Sequence, residues 1–561
     1  MLKRARYIFR AVAVIALVLF VAAISFSQSA EKSKPARGGR SIAYYSKILS
    51  DMALSIRENY MEEVNLDQLF SSSFDGMLAN LDPYSVLLRS DDYEALKESA
   101  HGRYEGIGID IDTRDGEVTI IAPLEGTPAA RLGFRPGDKI VKIEDKLVSQ
   151  LTSSEFNALA RGKAGTKVRL TIERPGVAHQ MEYIVERAVV EIHPVKYYGM
   201  LDGTVGYVRI SKFAEKSGEE FRAALKDLNI KGCRGLVLDL RSNGGGLMDQ
   251  AIDVVSQFIP GEKLVVYTKG QSESTQRRYL STGSPIFPSG NLVVLVDSGT
   301  ASASEIVTGA IQDWDRGVIM GTNTYGKGLV QNVFEWENSD YALKLTTSKY
   351  YIPSGRSIQK PERSYKSAAL ASAAAAQANG SKSSFKTNGG RRVYGGGGIT
   401  PDIPVGKKGL RAIEYNLTRE NLFFQFAVEY TTKVKEIPRN FVVDDTMIRD
   451  FKSFIKAKGF EYRTNTEELL SDLAVAAKAE GRSETFSKEL DVLQKAVDRE
   501  KEQDFTNAAE FIRSAIRREI LYIKYGDSAV YEEVITKEDP LVRQAVDLLK
   551  DRNRYGGILK G

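Results

Sequence analysis

A serine and a lysine carry most of the chemistry this sequence offers. The serine lies in Gly299-Thr300-Ala301-Ser302-Ala303-Ser304-Glu305, at an expected helix start, and the lysine in Tyr325-Gly326-Lys327-Gly328, 25 residues after Ser302. A serine nucleophile must give its proton to a base. The three histidines, His101, His179 and His193, all precede this region. A nearby lysine can serve instead if burial lowers its pKa towards neutrality. Each residue also has a plainer role. Ser302 with Glu305 fits a capping box, Ser304 is a rival hydroxyl in the same motif, and Lys327 fits an exposed turn.

Further residues bear on the choice. Ile306, Val307, Ala310, Ile311 and Trp314 share one face of the helix expected after Ser302, so packing fixes its N-terminus. Free N–H groups and the positive end of the helix dipole favour a nucleophile there. Gln331 shares the face of Lys327 on an extended strand, and its amide can orient or solvate the amine without adding charge. Arg241-Ser242-Asn243-Gly244-Gly245-Gly246 follows a buried-type strand, Gly235–Leu240. Glycines there mark a tight turn and also let backbone approach a carbonyl closely. The Gly246 and Ala303 N–H groups form the expected oxyanion hole, in which one donor is typically worth about 3–4 kcal/mol.

The elements that must hold these residues are legible as a series of textures. Residues 1–30 open with Lys3, Arg4, Arg6 and Arg10, then an apolar run from Ala11 to Ile24, then small polar residues. That order fits a cleaved secretory signal or an uncleaved N-terminal anchor. Residues 41–100 are expected to be helical, and residues 101–190 carry short strands with glycine turns. Their order resembles a PDZ domain, and the resemblance places Gly106, Ile107, Gly108 and Ile109 in the loop that grips a peptide's terminal carboxylate. Residues 191–362, with 399–410, alternate strand and helix as an α/β core with a largely parallel sheet does. Residues 363–398 are low in complexity and are expected to be a flexible insertion. Residues 411–561 are charged and helical, with Phe505, Ala508, Ile512, Ala515 and Ile516 on one stripe expected to be a core or dimer face.

Composition narrows the classes further. A net charge of +5 spread over 561 residues gives no basic run for nucleic acid. One cysteine, Cys233, excludes an internal disulfide and a cysteine-based zinc site, and its place before an apolar strand suits a buried thiol. No His-Glu helix motif or carboxylate cluster calls for a metal, and no cofactor is expected.

Together these pieces resemble the carboxy-terminal processing peptidases, tail-specific proteases with a PDZ domain and a Ser-Lys dyad. The resemblance runs from about Ser41 to Ile403. It is carried by Leu238-Asp239-Leu240-Arg241 with its glycine turn, by Gly299–Ile306, by Tyr325–Gly328 with Gln331, and by the 25-residue spacing of Ser302 and Lys327. It implies a ClpP/crotonase-like α/β core, with Ser302 as nucleophile, Lys327 as general base, Gln331 as its support, and Gly246 and Ala303 as oxyanion donors. It also implies an exported serine endopeptidase, periplasmic or in the cell envelope, that captures proteins with free, apolar C-termini through its PDZ domain. The sequence departs from the family pattern at Ser242-Asn243-Gly244, where Asn-Asn-Pro is common, and at Tyr84, where a histidine is common. The C-terminal helical region is open to a homodimer or adaptor role. The alternatives are an inactive peptide-binding scaffold, which intact Ser302, Lys327 and Gln331 oppose, and a trypsin-like protease, which lacks a histidine in a matching context.

Overall fold

The computed structural model describes residues 40–114, 116–361, 383–406 and 409–560. The apolar leader at 1–30 lies outside them, and no described helix is long and apolar enough to cross a membrane. The chain divides into two units, Met1–Pro83 and Tyr84–Gly561. In the first, helices Ile42–Asn59 and Leu66–Leu78 start at Ser41 and Asn65, whose side chains accept from backbone N–H groups of the first turn. In the second, the expected helix up to residue 100 is interrupted by a strand, Val86–Arg89, before helix Ser90–His101.

The chain then enters an antiparallel sheet. Its order is Ile109–Arg114, Glu117–Pro123, Lys139–Ile143, Lys167–Glu173 and Met181–Glu186. Alternation puts Val118, Ile120, Ile140, Ile143, Leu170 and Ile172 inside, where they pack with Phe134 and with Phe156 of helix Ser153–Ala160. A two-stranded ribbon, Arg103–Gly106 against Ala188–Glu191, joins this domain to the rest at its entry and exit.

The main core is a six-stranded sheet in the order Val195–Asp202, Val205–Ile210, Gly235–Asp239, Asn291–Val296, Val318–Gly321 and Ile403–Pro404. The first pair is antiparallel and the others are parallel. The central strands are apolar between their end residues, as in Leu236–Leu238 and Leu292–Val296, because both faces are covered. Leu236, Leu238, Val294 and Val296 pack under helices Ser217–Ile230, Met248–Val255 and Ala303–Asp313. Val237, Val293, Leu295 and Val318 meet Val542, Ala545, Leu548 and Leu549 of helix Pro540–Lys550, with Tyr555 of the following helix. The last helices are therefore a layer of the core.

Two findings differ from expectation. The strands Leu329–Glu335 and Tyr341–Tyr351 leave the parallel sheet and form a second, antiparallel one with Val86–Arg89, Leu264–Gly270 and Arg278–Leu280. The glycine-rich end of the insertion is folded: Ser384–Lys386 pairs with Arg392–Tyr394, and Arg391 holds Asp315 and Asp402, each at 2.6 Å. Gly398 there has φ +78, and a Cβ would lie 2.5 Å from the Thr324 carbonyl oxygen, so this glycine permits a close approach. The remainder of the insertion, 362–382, lies outside the described residues. In the C-terminal region, Ala508, Ile512, Ala515 and Ile516 pack against Phe423, Phe426 and Phe451, which makes the expected stripe an internal core.

Candidate active site

Ser302 stands at the start of helix Ala303–Asp313 with φ 55 and ψ −116. An ordinary N-cap residue is extended, so this serine is held in a backbone region that costs roughly 1–3 kcal/mol. What holds it is Glu305. Its Oε2 accepts from Ser302 N–H and from Lys327 N–H, both at 2.9 Å. Its Oε1 accepts from Gly326 N–H at 2.8 Å and from the Thr324 hydroxyl at 2.5 Å. Ile399 N–H donates to that same hydroxyl, so the threonine proton is free to point at the carboxylate. Glu305 is fully buried, and burial pushes its carboxyl above the usual range against the four donors that pull it down.

A second tie runs through the carbonyls. The buried Tyr350 hydroxyl shares its one proton between Lys327 O at 2.7 Å and Ser302 O at 3.1 Å. Burial, and then the charge of Glu305, holds this phenol well above its ordinary pKa, which keeps it a donor. The helix start and the lysine loop are thus joined at both N–H groups and at both carbonyls. The Lys327 amine rests 4.5 Å from the centroid of the Tyr84 ring. Gln331 lies on strand Leu329–Glu335, where its amide nitrogen donates to Thr346 Oγ1 at 3.0 Å. Ser304 is fully buried and donates to Asn243 O at 2.9 Å, while Ser302 is partly exposed.

The glycine turn closes the third side. Asn243 is buried; its side chain donates to Ile210 O at 3.0 Å and accepts from Gly245 N–H at 2.9 Å, and its carbonyl accepts from Ala301 N–H at 3.0 Å. Gly246 bridges Phe213, with Phe213 N–H donating to Gly245 O and Leu247 N–H to Phe213 O. That pairing turns the Gly246 N–H away from Phe213, and among the described residues neither it nor the Ala303 N–H donates a hydrogen bond. Both glycines are obligatory: Gly245 has φ +97, and a Cβ on it would lie 2.7 Å from Ala301 O and 2.8 Å from Ser302 Cβ. Gly245→Ala is accordingly expected to cost about 2–4 kcal/mol of stability through strain and overpacking and to abolish activity, as thermal unfolding and an activity assay would show. Unchanged Tm and turnover would mean that the turn does not abut the serine.

Upstream, Asp239 ends its strand under Tyr207, Arg209 and Arg241. Burial opposes its charge, but the two guanidiniums prevail and hold the carboxyl below its ordinary range. The PDZ-like loop heads the sheet's edge strand, Ile109–Arg114. Gly106, Ile107 and Gly108 are buried, Ile109 partly so, and the Gly108 carbonyl accepts from Thr127 Oγ1 at 3.0 Å and Leu124 N–H at 2.9 Å. Cys233 is buried, which raises its thiol pKa.

Sequence reasoning missed Glu305 as more than a cap and missed Tyr350 altogether, and it named Asp239 only as part of the Leu238–Arg241 motif, with no role. The local signal for its part in the ion-pair row was a carboxylate closing an otherwise apolar strand.

Comparison with known proteins identifies the domains. Profiles described as "Peptidase family S41", "PDZ domain" and "Probable PDZ-protease, C-terminal helical domain" match residues 204–363, 106–185 and 413–549. The chain is 37% identical over 314 residues to a carboxy-terminal-processing protease of Bartonella bacilliformis, covering 55% of this chain and 71% of that one. It is 36% identical over 315 residues to a carboxyl-terminal-processing protease of Synechocystis, covering 54% and 72%. Among solved structures, a photosystem II D1 C-terminal processing protease shares 27% identity over 63% of this chain and 86% of that chain, with a TM-score of 0.35.

Proposed function

Because the chain belongs to the carboxy-terminal-processing serine proteases of peptidase family S41, we propose that Ser302 and Lys327 form its dyad and that it cuts proteins delivered by their C-termini. The observation that carries the reading is the single carboxylate oxygen of Glu305 that binds the backbone N–H of both residues. Neutral Lys327 takes the Ser302 hydroxyl proton as Oγ attacks the scissile carbonyl. The oxyanion forms against the Gly246 and Ala303 N–H groups. The lysine ammonium gives its proton to the departing amine, and the acyl-enzyme remains. Lys327 then takes a proton from water, which attacks the ester and releases the new carboxyl terminus. A substrate's terminal carboxylate binds at the Gly106–Ile109 loop, with the peptide added to the edge strand. The charged and apolar N-terminal residues support export, in soluble or anchored form.

The test uses a protein substrate with an apolar C-terminus, free in one preparation and amidated in the other, together with a fluorophosphonate probe mapped by mass spectrometry. The expected result is cleavage that slows on amidation, with the label on Ser302. A label on Ser304 would sink the assignment of the nucleophile, and equal cleavage of both substrates would sink the delivery mode.

A further inference from the structure

The C-terminal helical region reaches the glycine turn through one ion pair. Arg241 folds back on Asp239, with Nε 3.0 Å from both carboxylate oxygens and Nη2 2.6 Å from Oδ2. Its remaining nitrogen, Nη1, donates to Asp539 Oδ2 at 2.6 Å. The other oxygen of Asp539 caps helix Pro540–Lys550, accepting from Leu541 N–H at 2.8 Å and Val542 N–H at 3.3 Å. Arg241 and Asp539 are each only 19% exposed at the side chain. Charge alternates along the row: Asp539, Arg241, Asp239, then Arg209, whose Nη1 lies 3.3 Å from Asp239 Oδ1. Two carboxylates and two guanidiniums balance there, and removing Asp539 leaves a half-buried excess of positive charge.

Both ends of this row are anchored. The helix that Asp539 caps is fixed to the sheet by Val542, Ala545, Leu548 and Leu549. Just before it, Tyr531 stacks on Tyr197 of the sheet's first strand, with centroids 5.2 Å apart and rings 5° from parallel. At the other end, Arg241 is the residue before the turn. Ser242, the next residue, has φ 54, a strained value for a residue other than glycine. Ser242 N–H donates to Asp297 Oδ1 at 2.7 Å, and four residues on comes the Gly246 N–H. A strained turn keeps its shape only if its flanks are held.

Resting on the dyad reading above, we propose that Asp539 is a positioning residue for the oxyanion turn, so that the C-terminal helical region sets the turnover of a site it does not line. A residue that positions a transition-state donor affects kcat while leaving substrate binding alone.

The experiment compares the full chain with Asp539→Asn, which keeps the side chain's shape and its capping oxygen, and with Val542→Ala, which loosens the same helix without touching the ion pair. Readouts are kcat and KM on a peptide substrate, inhibition by a peptide boronic acid that forms a tetrahedral adduct on the serine, and Tm. Asp539→Asn is expected to lower kcat about tenfold, in the range for residues acting through a packed network. The boronic acid should weaken by a similar factor, with KM within about twofold and Asp539→Glu recovering part of the loss. Unchanged kcat and boronate inhibition in Asp539→Asn overturn the proposal and leave the dyad standing. So does a kcat loss that Val542→Ala reproduces at equal Tm. A wild-type chain without Ser302-dependent cleavage overturns the dyad reading and this one with it.

Discussion

Lys327→Ala is expected to lower kcat by roughly four to six orders of magnitude with little change in Tm. The backbone of this residue does not depend on its side chain: Glu305 holds the N–H at 2.9 Å and Tyr350 holds the carbonyl at 2.7 Å. Truncation therefore leaves the loop's backbone ties in place and removes the amine proposed to accept the Ser302 proton, together with its contact on the Tyr84 ring. Lys327→Arg is the more demanding arm. A guanidinium keeps the positive charge near the developing oxyanion but does not give up its proton in a folded protein. If proton transfer is the lysine's contribution, the arginine variant is as inactive as the alanine variant. Steady-state kinetics on both, with unfolding curves as a control, decide the matter. An arginine variant that keeps a tenth or more of wild-type kcat would assign the lysine an electrostatic role instead.

Glu305→Gln is expected to reduce kcat about 10²–10³-fold and to lower Tm by several degrees, although the two side chains have the same shape. Each oxygen of the carboxylate accepts two hydrogen bonds, from Ser302 and Lys327 on one side and from Gly326 and Thr324 on the other. A glutamine amide keeps one acceptor and turns the other into a donor, which then faces two donors in a buried site. An unsatisfied buried N–H costs about 1–3 kcal/mol, and a displacement near 1 Å at the reacting atoms costs about 10² in rate. Burial raises the Glu305 pKa, so folding favours the protonated form. The stability that this shift contributes is present below the unfolded pKa and fades as pH rises through the folded one. The hydrogen bonds oppose this, and the glutamine variant separates the two effects: it should lose the pH dependence along with the clamp. Parallel kcat and Tm profiles for glutamine and glutamate across pH would show that no carboxylate is needed.

How much of this was legible in the sequence follows from how local each signal is. The helix start at Ser302 and the glycine turn are legible because each is made within a few residues, whereas pairing Ser302 with Lys327 took their 25-residue spacing and the family resemblance. Glu305 declared one quarter of its role, the cap of Ser302, while its other donors come from Thr324, Gly326 and Lys327. Tyr350 lies on a strand whose pattern says only that it is half-buried, and nothing in that pattern shows a hydroxyl shared by two loops. The parallel sheet was readable because strands covered on both faces are apolar throughout, as in Leu292–Val296. What covers them was not. Val542, Ala545, Leu548 and Leu549 make a stripe that a bundle or a dimer would carry equally well. The run Gly395–Gly398 read as slack because composition reports freedom and not contact, and contact with Thr324 decides it. Asp539 carried no reading of its own, because an ion pair 298 residues away in the chain leaves no trace in local pattern.

The covering of the sheet has a consequence for synthesis. The strands from Val205 to Gly321 leave a ribosome well before Pro540–Lys550 and the helix after it, and more than two hundred residues separate them. At about 5–20 residues per second, the face carrying Val237, Val293, Leu295 and Val318 waits bare for roughly ten seconds or more. A nascent chain with that face uncovered carries an apolar patch, an aggregation liability. The helices that cover it also bring Asp539, so the layer that closes the core and the carboxylate that pairs with Arg241 arrive together.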